Sequence, residues 1–294
     1  MAPSDHRTSE SESTAREASD ARSGVPSPSA SAPAMGEARA RFPAVLAGET
    51  VFLDNASGAQ LPAGVLDRVR EALTRLQVNK GGAYPASVEV TEAKERVRAR
   101  TADFLGVAGD EDGVAFGANA TTLLFLLAEA VGDTLGAGDE IVVSGLDHHA
   151  NRDPWRRLSR RGIVIREWEP RGPEARLDPD DLSELLSDAT RVVAVTGASN
   201  LLGTYVPLDE VAARVGPHRA RLVIDAVHLA PHRLPDAAAW RADAVAFSPY
   251  KVFQKSVFTI GGEDYSLDEM EKEILLGETY AERGWKDARV HFAV

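Results

Sequence analysis

The stretch from Arg221 to Phe253 restricts this chain more than any other. Two short apolar, largely β-branched runs occur in it. The first, Arg221-Leu-Val-Ile-Asp225, stops at an acid, and the second, Ala244-Val-Ala-Phe247, stops at Ser248-Pro249-Tyr250-Lys251. Runs this short with polar ends read as buried strands. The residues between them read as a short helical spacer, so the two strands are expected side by side and parallel. In open sheets of that kind, ligands sit just beyond the carboxyl ends of the strands. Asp225 and Lys251 both fall there.

The rest of the chain repeats the pattern. Gly113–Phe116 is a short strand that runs into Gly117-Ala-Asn119-Ala120-Thr121-Thr122 and an apolar helix over Leu123–Val131. A small-residue turn that opens a helix offers free N–H groups and the positive end of the helix dipole to an anion such as a phosphate. An N-cap by Thr121 or Thr122, with no ligand, is the plainer alternative. Asp139–Ser144 is the next strand, followed by Gly145-Leu-Asp147-His148-His149-Ala150-Asn151 and Pro154-Trp155. The histidine pair lacks convincing metal-ligand spacing, and no metal is expected. Arg156, Arg157, Arg160 and Arg161 read as a basic helix end complementing the dipole. Arg191–Thr196 is a strand ending at Ser199-Asn200-Leu-Leu-Gly203-Thr204. Helices are expected over Leu66–Leu76, Val88–Leu105, Leu177–Leu186 and Leu208–Val215, and further strands over Val51–Asp54 and Gly162–Trp168. Alternating strands and helices point to an α/β fold with a mostly parallel sheet flanked by helices.

An acid at one strand end and a lysine at the next suit pyridoxal phosphate. The lysine forms a Schiff base with the aldehyde, and the carboxylate pairs with the pyridinium nitrogen. Either residue alone also fits an ordinary role, a surface lysine or a helix N-cap; the order of the motifs favours the cofactor.

Val-Ile-Asp225-Ala-Val-His228 followed by Phe-Ser248-Pro-Tyr250-Lys251 resembles the class V aminotransferase family of fold-type I pyridoxal-phosphate enzymes, in particular its cysteine desulfurase-like branch. The resemblance spans about residues 42–253. It takes in Leu53-Asp54-x-Ala56 with Pro62, His148-His149-Ala-Asn151 with Pro154-Trp155, and Ser199-Asn200-x-x-Gly203-Thr204. It departs from the family at Asp147, where glutamate is usual, at Ala120, where a hydroxyl residue is common, and at Tyr250, where many relatives have histidine. The fold it implies is the large domain of these enzymes without the C-terminal small domain and with one strand missing.

The same resemblance implies site roles. Lys251 would carry the cofactor and shuttle the α-proton of an amino-acid substrate. Asp225 would hold the pyridinium, His148 would stack on the ring, and Asn200 and His228 would bond its phenolic oxygen. Ala120, Thr121 and Ser248 would hold the phosphate, with Tyr250 beside the lysine. A homodimer is implied. His149 has no assigned role.

Composition narrows the alternatives. The net charge of −12 argues against nucleic acid or an anionic membrane as the main partner, and no apolar run is long enough to span a bilayer. There is no cysteine, which fits a reducing, cytoplasmic setting and removes the thiol on which desulfurases carry sulfur. Residues 1 to about 40, rich in Ser, Ala, Pro and Glu, read as disordered. Residues 254–294 leave the family pattern. Val257–Ile260 with Gly261-Gly262 reads as strand and turn, and Ser266 with Glu269 as a capping box. This tail resembles part of a separate bacterial domain family and ends mid-strand, so a chimeric chain is expected. Three functions follow: an amino-acid enzyme, a cofactor-binding remnant without turnover, or an interaction module that binds no cofactor.

Overall fold

The computed structural model describes residues 39–46, 48 and 51–252, and the backbone of 258–260, 263–265 and 290–293. The N-terminal segment up to residue 38 and the capping box at Ser266 and Glu269 lie outside the described residues.

The helices are α1 (Pro43–Leu46), α2 (Ala63–Arg75), α3 (Pro85–Phe104), α4 (Ala120–Gly132), α5 (His149–Arg157), α6 (Pro179–Leu185) and α7 (Leu208–Val215). The strands are β1 (Val114–Phe116), β2 (Glu140–Ser144), β3 (Val164–Trp168), β4 (Thr190–Thr196), β5 (Arg221–Asp225), β6 (Ala244–Phe247), β7 (Phe258–Ile260), β8 (Glu263–Tyr265) and β9 (Val290–Ala293). Seven of them form one sheet in the order β1-β9-β6-β5-β4-β2-β3, with every pair parallel. β7 and β8 pair antiparallel, and β7 lies within the strand expected over Val257–Ile260; the turn expected at Gly261-Gly262 lies outside the described residues.

Successive strand residues point to opposite faces, so a sheet covered on both sides needs apolar residues at every position. Val142, Val193, Ile224 and Phe247 pack on one face with Phe104 of α3, Leu182 of α6 and Val211 of α7. Ile141, Val143, Ala194 and Val223 pack on the other with Leu124 of α4 and Trp155 of α5. Leu124 is fully buried. Leu124→Ala is expected to lose about 2–5 kcal/mol, read as a lower urea midpoint at unchanged slope.

Several expectations need correction. Residues 51–54 form no strand: Val51 and Leu53 stand 75% and 89% exposed, and no neighbouring strand pairs with them. The spacer between β5 and β6 is a run of turns and not a helix. Pro231 and Pro235 remove two of its backbone donors, and the Ala237 N–H is drawn instead to the Leu105 carbonyl (2.8 Å) at the end of α3. Gly106 sits at that crossing with φ +75°, where a Cβ would lie 2.9 Å from Asp236 Oδ1. The sheet expected to lack a strand has its place between β1 and β6 taken by β9, a piece of the divergent tail. The arginines after Trp155 do stand at helix ends, Arg156 and Arg157 in the last turn of α5, and two of them also form ion pairs between elements: Arg161 with Glu129 and Asp133, and Arg156 with Glu167. Among the described residues, no helix is long and apolar enough to cross a membrane.

Candidate active site

Because the strands run parallel, all their carboxyl ends lie on one edge. Residues 117–121 follow β1, 144–148 follow β2, 197–200 follow β4, Asp225 closes β5, and 248–251 follow β6. Thr196 stands in register with Asp225, and Asp225 with Ala246, so three of these ends are direct neighbours.

Lys251 ends a 3₁₀ turn, Pro249–Lys251, in which its own N–H donates to the Ser248 carbonyl at 3.0 Å. Its Nζ donates to the carbonyls of Ala56 and Ser57, the latter at 2.9 Å, and lies 5.4 Å from the centre of the Tyr250 ring. Burial lowers the Lys251 pKa against the opposing pull of Asp54 and Asp225. Asp225 is buried, and its Oδ1 accepts the Val227 N–H at 2.9 Å. Burial raises its pKa to about 6, against that bond and the charge of Lys251.

His148 caps α5: its Nδ1 accepts the Ala150 N–H at 3.1 Å, which leaves Nε2 to carry the proton of the neutral ring. Burial, then the charges of His149 and Lys251, hold its pKa below the ordinary value. His228 is driven down to about 4 by burial first and by Lys251, His148 and His232 after it. These mutual influences bring Lys251, Asp225, His148 and His228 into one electrostatic cluster.

A cavity of about 300 Å³ opens beside the lysine, lined among others by Asn55, Asn200, Tyr205, His228, His232 and Lys251. Of the other expected site residues, Ala120, Thr121, His148, Asp225, Ser248 and Tyr250 do not line it. Ser248 is buried and Tyr250 is 43% exposed. Ala120 and Thr121 open α4, whose N-cap is Asn119 and neither threonine: Asn119 Oδ1 accepts the Thr122 N–H at 2.7 Å. Among the described residues, no acceptor meets the Ala120 and Thr121 amides, so both remain for an anion.

Sequence reasoning weighed Asp147 only as a metal ligand and as a departure from the family motif, and missed the buried network around it. Ser144 Oγ meets Asp147 Oδ2 at 2.5 Å, Asn151 Nδ2 donates to Asp147 Oδ1 at 2.8 Å, and Trp155 Nε1 donates to Asn151 Oδ1 at 3.4 Å. The spacing of Asn151 and Trp155 was part of the signal, since residues four apart share one helix face; Asp147 precedes the helix, just before its N-cap His148. The cavity residue His232 was also missed, with nothing in its local sequence to mark it; Asn55 lies in the Leu53-Asp54-x-Ala56 motif but was given no role. Among the described residues, no group of three His, Cys, Asp or Glu stands together as metal ligands.

The donor set fits pyridoxal phosphate. An amine suits the aldehyde, a buried carboxyl the ring nitrogen, a flat imidazole the ring face, and free helix amides the phosphate. The sequence pattern of the family Aminotransferase class-V matches residues 51–255, close to the span read from the motifs. A cysteine desulfurase of Dickeya dadantii is 34% identical over 250 residues, which cover 80% of this chain and 60% of the relative. The apo structure of a cysteine desulfurase from Thermococcus onnurineus superposes with a TM-score of 0.69 at 27% identity, covering 76% of this chain and 55% of that one. The cysteine desulfurase CsdA of Escherichia coli gives a TM-score of 0.65 at 25% identity, with 74% and 54% covered. The chain thus spans between half and two thirds of the length of these relatives. Fold, motif order and identity agree, and the chain belongs to the aminotransferase class-V family, in its cysteine desulfurase-like branch.

Proposed function

We propose that this chain binds pyridoxal 5'-phosphate at Lys251 and acts on a small amino acid. The observation that carries the reading is the juxtaposition of Lys251 with Asp225. A lysine of lowered pKa and a buried carboxyl meet at adjacent strand ends beside a cavity. Pyridoxal phosphate, when bound, supplies an electron sink for charge developing at the α-carbon of an amino acid.

The residues divide the remaining work. Lys251 Nζ binds the aldehyde and moves the α-proton, and its lowered pKa enlarges the neutral fraction able to do so. Asp225 holds a proton on the ring nitrogen. His148 offers its ring face. Asn200 and His228 bond the phenolic oxygen, and His228 does so as a neutral donor because its pKa is far below neutrality. The Ala120 and Thr121 amides, the Thr121 hydroxyl and Ser248 hold the phosphate, while Tyr250 lies against the Lys251 ammonium. A homodimer belongs to the same reading; Val51, Leu53, Leu66 and Leu73 expose apolar surface that a second copy would cover.

The named relatives are cysteine desulfurases, yet these 294 residues contain no cysteine to receive sulfur. That observation supports a second reading, cofactor binding without desulfuration. Titration with pyridoxal phosphate, followed by borohydride reduction and peptide mapping, tests both. A label on Lys251 is expected, and a folded protein without one would refute cofactor binding. Product formed from an amino acid then separates enzyme from remnant.

A further inference from the structure

The floor of the site holds two buried carboxyls where the proposed chemistry needs one. Asp225 closes β5, and Asp147 follows β2; both are under 10% exposed. Between them stands Thr196, the last residue of β4, in register with Asp225, its hydroxyl 3.4 Å from the Asp225 carbonyl. Two carboxylates in one dry pocket repel, and buried charges persist only when paired. Lys251 faces Asp225. The groups around Asp147 are uncharged: Ser144 from β2, Asn151 and Trp155 from α5, and Thr196 from β4. His148, its neighbour in the chain, is turned to the Ala150 amide and to Lys251.

The network also orients the proton. An indole N–H can only donate, so Trp155 fixes Asn151 with its oxygen toward the indole and its NH₂ toward Asp147. Asp147 Oδ1 is therefore an acceptor. Ser144 Oγ donates to Oδ2 at 2.5 Å when Asp147 is ionised; a hydroxyl can also accept, so Oδ2 is the oxygen with a partner for the proton when Asp147 is neutral.

We propose that Asp147 is a positioning residue that retains the proton of the carboxyl pair, so that Asp225 is the single anion of the floor. The use of that anion, on a ring nitrogen, rests on the function proposed above; the protonation itself does not. The shifts agree with it: burial first, and the charge of Asp225 in addition, raise Asp147 to about 8, above Asp225 at about 6.

Infrared spectra of the full chain without added cofactor provide the test, because a protonated buried carboxyl has its own carbonyl band. The band is expected below pH about 8 and absent above it. Between pH about 6, where Asp225 is ionised, and about 8, it should vanish in Asp147→Asn and persist in Asp147→Glu. In Asp225→Asn it should persist but titrate at lower pH, since the repelling charge is gone. A band that survives Asp147→Asn and is lost in Asp225→Asn would place the proton on Asp225 and overturn the proposal. So would a wild-type spectrum without the band. Should Asp147→Asn not fold, the Asp225→Asn spectrum decides. An unlabelled Lys251 would refute cofactor binding and leave this result standing.

Discussion

Replacing Lys251 with alanine is expected to erase borohydride-fixed labelling by pyridoxal phosphate and to lower any amino-acid turnover by at least ~10²–10⁴-fold. The amine has no substitute nearby: Asp225, His148 and His228 surround it, and none can bind an aldehyde covalently and also carry a proton at the same atom. Lys251→Arg preserves charge and should fail equally, because a guanidinium stays protonated. Lys80→Ala, in the loop between α2 and α3, should keep the label and serves as the control. Mass mapping of the reduced protein reads the result. Full labelling of the alanine variant at another lysine would show that the cluster does not select Lys251.

Between pH about 6.5 and about 8, the cofactor-free protein is expected to lose up to about 2 kcal/mol of stability as pH rises. Asp147 has a folded pKa near 8 and an ordinary value of 3.8. In that window the unfolded chain has released this proton and the folded chain still holds it. Folding therefore binds a proton, and raising the pH opposes it. Asp225 adds the same sign only up to about 6. His228, lowered to about 4, has the opposite sign, and its effect ends near 6.5. Above that pH Asp147 drives the loss, and Lys251, whose lowered pKa has the opposite sign, offsets part of it wherever it titrates. Thermal melts should fall by roughly 4–8 °C across the window, and Asp147→Asn should flatten the trend. An unchanged slope in that variant would assign the titration elsewhere.

Much of the architecture was legible because short buried strands and amphipathic helices carry strong local patterns. Leu208–Val215 and Arg221–Asp225 fall where periodicity places them. Helix starts were read late at α2 and α3, which begin just after Pro62 and at Pro85; the apolar stripe begins further in. The turns of 226–243 were missed because their apolar residues mimic a helical face, while the bond that shapes them comes from Leu105, far away in the chain. For the site, strand-end position singled out Asp225 and Lys251 as candidates, and the family resemblance added Asn200. Asp147 escaped because its significance depends on desolvation and on a second carboxyl from another strand, and neither is a property of neighbouring residues.

The position of β9 has a bearing on synthesis. β2 to β6 can assemble in the order in which they leave the ribosome, each on a neighbour already made. β1 cannot join them: among the described residues it pairs with β9 alone, which lies beyond β6 and is made last of the seven. Until then β6 presents an unpaired, wholly apolar edge, the kind of surface that nascent chains aggregate through. Slow docking of the 290–293 segment would set the pace of the final folding step. Soluble yield should therefore respond to chaperone supply and to substitutions in β9, although β9 contributes no residue named in the site.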